Sequence, residues 1–229
     1  RKSGHGAFAC DAREAREALA LNFGNLSCVD DAIGRVLAQL RALGLDDNTV
    51  VVFTSDHGEL LGDRGLMLKG GLHYRALTRV PFVWRDTAGR RLVLRSQGLA
   101  QTTDIGVTVL DRAGLEPANG MHGRSLLGVV RNQLRELREH LLIEEEGQRR
   151  DFGLPRRVRM RSLLTPRHRY TLYDGESWGE CYDLVEDPDE LRNLWNLPEA
   201  RGLRAELEDR LVRAMLETAD TSPYPDASA

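Results

Sequence analysis

Apolar residues recur at intervals of three and four from Leu26 through Val29, Ile33, Val36, Leu37 and Leu40 to Leu43, the period of a helix with one apolar stripe. The pattern predicts a helix from Ala12 to Leu43, closed by Gly44, since glycine enters the left-handed helix-ending conformation without a Cβ clash. After the turn residues "LDDN" the period changes. "TVVVFTS", residues 49–55, is β-branched, too short for a helix and free of polar alternation, which predicts a strand buried on both faces. A helix running into such a strand points to an α/β domain with a mixed or parallel sheet between helices.

The next run, "RVPFVW" at 79–84, predicts a second strand whose Pro81 belongs at an edge or a strand beginning, because proline cannot donate to a ladder. A short helix is expected from Asp104 to Ala113, with Thr103 as N-cap and Gly114 as stop, and another within "GRSLLGVVRNQ". Beyond residue 140 four strand-like runs, "LLIEEEG", "RVRMRSLLT", "HRYTLYDG" and "GECYDLVED", are separated by Gly, Pro and Asp. They predict a small antiparallel sheet. Leu203, Leu207, Leu211 and Met215, spaced by fours, predict a final helix against it. The expected organisation is therefore an α/β part over 1–139 and a small sheet-plus-helix part over 140–229.

Composition narrows the function classes. A formal net charge of −3 gives no electrostatic footprint for nucleic acid. No stretch reaches the roughly 18 apolar residues of a membrane-spanning helix, so no membrane partner is expected. Cys10, Cys28 and Cys181 are odd in number and far apart, which fits neither a disulfide framework nor a zinc knuckle. The basic residues say more: of 32, only Lys2 and Lys69 are lysines. A chain that otherwise uses arginine keeps one compact ammonium inside its most unusual stretch.

That stretch is "TVVVFTSDHGELLGDRGLMLKGG", residues 49–71. In α/β sheets ligands sit beyond the carboxyl ends of strands, where the run places Asp56 and His57. Two readings stay open for the pair: ligands to one metal ion, or a capped turn with a solvated carboxylate. Lys69 follows across a loop marked by Gly58, Gly62 and Gly65, and either reaches an anion at the strand end or lies along the surface. His73 is a second candidate on the same segment, and His5 a more distant one.

Taken in order, "DDNTVVVFTSDHGELLGDRGLMLKG", "YRALTRVP", "TTDIGVTVLDRAGL", "GRSLL" and "GECYDLVEDPDELRNLW" resemble the C-terminal half of a sulfatase, within the alkaline phosphatase superfamily. The resemblance implies that Asp56 and His57 are metal ligands and that Lys69 contacts the sulfate; His73 is added from its spacing, one helical turn's worth of residues after Lys69. It implies a divalent cofactor, calcium in most sulfatases and manganese in some phosphonate and phosphodiester relatives, and a small sulfate-ester substrate. It also implies a formylglycine nucleophile, made from Cys or Ser in a CxPxR-type motif.

No such motif is present. Cys10 comes nearest in "CDARE", but Glu14 stands where the arginine belongs. Arg64 stands where a His is common, and Cys181 where a Leu is common. The chain is accordingly read as the C-terminal part of a sulfatase-like hydrolase that lacks its nucleophile and is inactive alone. A phosphonate monoester or phosphodiester hydrolase of the same superfamily, and a non-catalytic degenerate domain, are the alternatives.

Overall fold

The computed structural model describes residues 7–87, 95–147 and 157–219. His5 therefore lies outside the described residues, as does most of the charged segment after Gly147. The chain divides into two compact units, Arg1–Val93 and Leu94–Ala229.

The first unit begins with β1 (Phe8–Ala9) and a long helix, α1 (Ala12–Ala42). Asp11 caps the helix: its Oδ1 accepts the Arg13 and Glu14 amides at 2.8 Å each, and Glu14 Oε2 accepts the Asp11 amide at 3.1 Å. This reciprocal capping box satisfies amides that the first turn would otherwise leave open. The helix ends as expected at Gly44, φ 67°, where the Leu45 amide returns to the Leu40 carbonyl at 3.1 Å. Its predicted apolar stripe is not covered, however: none of the 31 residues is buried.

β2 (Val51–Thr54) follows, then β3 (Leu66–Met67), the single turn α2 (Arg75–Thr78) and β4 (Phe82–Arg85). β2 pairs with β4 in antiparallel register, Val51 opposite Arg85 and Thr54 opposite Phe82. This corrects the expectation of a strand buried on both faces. Among the described residues nothing covers its far half, and Phe53 and Thr54 are exposed. Pro81 immediately precedes β4, the strand-beginning position its missing N–H allows. Arg85 Nη2 reaches Asp46 Oδ1 at 2.6 Å, and Thr87 Oγ1 donates to the Asp47 carbonyl at 2.8 Å. These two contacts fasten the end of β4 to the turn that starts β2.

The second unit opens with α3 (Thr103–Arg112) and the one-turn α4 (Leu127–Val130). The predicted cap at Thr103 is not used, since Thr102 flanks the helix without a side-chain cap bond. Asp104 works from inside the first turn instead. Its Oδ2 accepts the Gln101 amide at 2.9 Å, and its Oδ1 takes the Arg124 amide at 2.8 Å and Arg138 Nη2 at 2.6 Å. A fully buried carboxylate is tolerated because it is both paired and hydrogen-bonded.

The rest is β5 (Leu141–Glu146), β6 (Arg159–Leu164), β7 (His168–Tyr173), β8 (Gly179–Asp183) and α5 (Arg201–Glu217). The strands form an antiparallel meander in the order β5-β6-β7-β8. The boundary read at 139/140 thus falls inside the second unit, just ahead of β5. One face of the sheet is apolar: Leu163, Tyr170 and Cys181 align across three strands and pack with Leu207, Leu211 and Ala214 of α5. The other face is also buried and carries a polar network beside an apolar cluster of Val158, Met160 and Tyr173. Arg169 donates to Glu180 and Glu190, and to Thr171 at 2.8 Å, and the Thr171 hydroxyl meets that of Ser162 at 2.6 Å.

The segment after β8 is held by its own polar side chains. Asp187 accepts the Arg192 amide at 2.7 Å, Glu190 meets the buried guanidinium, and Asn193 Oδ1 accepts the Cys181 and Trp195 amides at 3.0 Å each. Asp187 thus closes the loop on itself, while Glu190 and Asn193 fasten it to the sheet.

Candidate active site

The carboxyl end of β2 turns through Ser55, Asp56 and His57, and the turn is bonded to itself. The His57 amide donates to Asp56 Oδ1 at 2.9 Å, while Ser55 Oγ donates to the His57 carbonyl at 3.0 Å. One carboxylate oxygen is thus committed to the backbone. The other, Oδ2, lies 3.2 Å from His57 Nε2 on a side chain that is 81% exposed. The amide bond from His57 holds the Asp56 carboxyl below its ordinary range against a small opposing effect of desolvation, with the imidazole and the Ser55 hydroxyl adding to it.

His57 Nδ1 lies 2.8 Å from the Gly58 carbonyl. A carbonyl only accepts, so in the neutral ring Nδ1 carries the hydrogen and Nε2 presents its lone pair. The Lys69 ammonium meets Nε2 directly. Gly58 holds this arrangement from below: its amide donates to the Leu77 carbonyl of α2 at 2.8 Å, and a Cβ added there would lie 1.9 Å from the Ala76 carbonyl oxygen. What requires glycine here is the close approach of α2.

The structure therefore brings Asp56, His57 and Lys69 together. His73 is buried in the turn that leads into α2. The Cys10 amide donates to the Gly65 carbonyl at 2.8 Å, and the residues after it build the cap of α1. Sequence reasoning missed Ser55, whose hydroxyl locks the turn. It also missed Arg64, whose guanidinium lies 3.8 Å over the Tyr74 ring. The serine was visible beside the Asp–His pair, whereas nothing in the sequence joined Arg64 to Tyr74.

The donor set can be tested against a divalent ion. A carboxylate oxygen and an imidazole lone pair 3.2 Å apart at a strand end suit two adjacent ligand positions. Calcium takes six to eight oxygens and zinc usually four ligands. Among the described residues no group of three or more His, Cys, Asp or Glu is placed to hold a metal. Asp56 and His57 thus fit as part of a metal site. A cavity of about 590 Å³ in the second unit contains none of these residues. Arg161, which lines it, has its donors taken by Glu144 at 2.8 Å, Glu146 at 2.5 Å and the Met160 carbonyl at 3.0 Å.

Comparison with known proteins defines the class to which this fold and site belong. Residues 62–217 match the family model described as N-sulphoglucosamine sulphohydrolase, C-terminal, and residues 4–115 match the sulfatase model. The chain belongs to the sulfatase family. It is 30% identical over 204 residues to an N-acetylglucosamine-6-O-sulfatase of Bacteroides thetaiotaomicron, an alignment covering 85% of this chain and 35% of that protein. An arylsulfatase of Clostridium perfringens is 28% identical, with 80% of this chain and 37% of the relative covered.

Among solved structures, an enzyme bound to its substrate D-glucosamine-2-N,6-O-disulfate superposes with a TM-score of 0.77 at 25% identity, over 88% of this chain and 41% of that one. The phosphonate monoester hydrolase of Agrobacterium radiobacter gives 0.73 at 26% identity, over 85% and 40%. The chain thus spans between a third and a half of the length of these proteins. It has the mixed α/β architecture of the C-terminal portion of the alkaline-phosphatase-like fold, with the four-stranded antiparallel sheet and its helix.

Proposed function

We propose that this chain forms the C-terminal part of the catalytic domain of a metal-dependent sulfatase, acting on a sulfate ester of an amino sugar. The observation that carries the reading is the convergence of Asp56, His57 and Lys69 at the end of β2 in a chain of the sulfatase family. Two named relatives act on sulfated glucosamine derivatives, which makes that substrate class the first to test.

Asp56 and His57 would hold a divalent ion, calcium in this reading with manganese as the alternative, through Oδ2 and Nε2. When bound, the ion supplies positive charge that polarises the sulfate. Asp56 contributes the negative charge that retains a hard cation, and the Gly58 carbonyl keeps the lone pair of His57 on Nε2. Nε2 has one lone pair, so a bound ion would take it from the Lys69 ammonium, whose N–H bonds are then free to reach a sulfate oxygen and stabilise negative charge as the S–O bond to the leaving group breaks. His73, on the same segment, is proposed as a second group lining the sulfate position. The nucleophile is proposed to be a formylglycine supplied outside these 229 residues.

The test is turnover of a sulfate ester by a chain that spans the full length of its relatives. Lys69→Ala is expected to lower kcat about 10²- to 10³-fold, the loss typical of removing one preorganised charge-stabilising group. Unchanged turnover would remove Lys69 from the mechanism. The likeness to a phosphonate monoester hydrolase supports a second reading with the same three residues, and the ratio of rates on an aryl sulfate and an aryl phosphonate separates the two.

A further inference from the structure

Between Leu60 and Lys69 the backbone is left-handed five times, at Leu61 (φ 47°), Gly62 (102°), Arg64 (57°), Gly65 (67°) and Leu68 (64°). Glycine adopts this conformation freely, whereas the three others are disfavoured by contact of Cβ with the following carbonyl. Such a path persists only where its surroundings over-determine it. Backbone bonds tie the loop to itself and to the residue before α1, with the Gly62 amide on the Leu66 carbonyl at 2.8 Å and the Cys10 amide on the Gly65 carbonyl at 2.8 Å.

A side-chain contact ties it to α2. The Arg64 guanidinium lies 3.8 Å over the Tyr74 ring, and the Tyr74 carbonyl accepts the Leu77 and Thr78 amides that begin the turn. The same turn holds Gly58 through the Leu77 carbonyl, and Gly58 holds the His57 ring. A closed circuit results: Arg64 joins the loop that delivers Lys69 to the turn that fixes the partner of Lys69.

We infer that Arg64 is a positioning residue, whose stack on Tyr74 keeps the strained loop closed and Lys69 against His57. What Lys69 is held there to do rests on the sulfatase reading; the holding itself does not. The chain offers a direct readout, because a protease that cuts after lysine has only two sites, Lys2 and Lys69. Cleavage after Lys69 under native conditions tracks the open population of its loop, and the cut after Lys2 serves as the internal reference.

Arg64→Ala and Tyr74→Ala should each speed cleavage after Lys69 roughly tenfold relative to Lys2, the factor that about 1.4 kcal/mol represents. The double variant should be little faster than either single one. Tyr74→Phe, which keeps the ring, should stay within about twofold of the parent. Arg64→Gln, which keeps most of the stem and removes the charge, repeats the test should Arg64→Ala fail to fold. Unchanged cleavage in folded Arg64→Ala or Arg64→Gln, additive effects in the double variant, or a Tyr74→Phe as fast as Tyr74→Ala would each overturn the inference. Failure of the sulfatase reading would leave all these rates where they are, so the two can fail separately.

Discussion

The end of β2 and the sheet of the second unit handle polar groups in opposite ways. On the sheet's polar face the guanidinium of Arg169, 1% exposed, is bonded to Glu180, Glu190 and Thr171, and the Thr171 hydroxyl is bonded in turn to Ser162. There a buried guanidinium is paired with two acids inside the fold. At the end of β2 one oxygen of Asp56 and one nitrogen of His57 point outward, and the nearest cation is a lysine on a strained loop. The apolar residues divide in the same way. Leu207 and Leu211 of α5 are buried under the sheet, while Leu21, Phe23 and Val36 of α1 are 72%, 65% and 68% exposed. Stability resides where groups satisfy one another, and chemistry where they are held in place but left incomplete.

The largest effect should come from the centre of the balanced region. Arg169→Ala leaves Glu180 and Glu190 buried without their cation, which typically costs about 3–5 kcal/mol. Urea unfolding, followed through Trp178 and Trp195 of the same unit, measures it. A loss below about 1 kcal/mol would mean that the two acids are not held by the arginine. Leu211→Ala, at a fully buried position, should cost about 2–5 kcal/mol through lost transfer energy and an unfilled cavity. Leu21→Ala on α1 should stay within about 0.5 kcal/mol in the same measurement. Equal losses from the two leucines would erase the distinction between the regions.

Much of this was legible in the sequence. Intervals of three and four located α1, a spacing of fours α5, and cap and stop residues α3, with the glycines after α1 and α3 marking their ends. Turn residues separated the four strands of the sheet, and strand-end logic put Asp56 and His57 in the turn after β2, while Lys69 was left between reaching that turn and lying along the surface. Pairing was less legible: an apolar run says that a strand exists, not which strand it joins, and the antiparallel pairing of β2 with β4 is seen only in the structure. The Asp11–Glu14 spacing of a capping box was readable, yet the nearby Cys10 drew attention as a damaged motif. Arg169, Glu180 and Glu190 are scattered along the chain, so only the β7–β8 register and the loop beyond it make them neighbours. Left-handed Leu61, Arg64 and Leu68 left no trace, because nothing in a leucine or an arginine announces a conformation that both disfavour.

Gly58 tests the outward-facing region with a smaller perturbation. Gly58→Ala would place a methyl against the Ala76 carbonyl and should cost about 1–3 kcal/mol, as overpacking does. Its effect should concentrate on the β2 turn and α2, seen as faster amide exchange at Gly58 itself, whose N–H bonds to Leu77, with the α5 amides unchanged. Uniformly faster exchange throughout the first unit would show instead that the glycine supports the whole unit and not this turn.

The smallest effect belongs to the exposed rim of the sheet. Hydrogen bonds from Arg159 and Arg161 pull the Glu146 carboxyl down to about 2, against a weak opposing effect of desolvation. A carboxyl with a folded value below its unfolded one binds fewer protons when folded, so its stabilisation is full above the unfolded value near 4.5 and is lost as pH falls toward about 2. Arg159 is shared with Asp174 and Arg161 with Glu144, so each guanidinium keeps a second acid when Glu146 is replaced. Glu146→Gln removes only the contribution of that one carboxyl. Its melting temperature should lie slightly below the parent's above pH 5, and the gap should close by about pH 2 and narrow in high salt. A gap that stayed constant from pH 5 to pH 2 would mean that Glu146 acts by packing and not by charge. The rim would then offer no surface counterpart to the buried acids around Arg169.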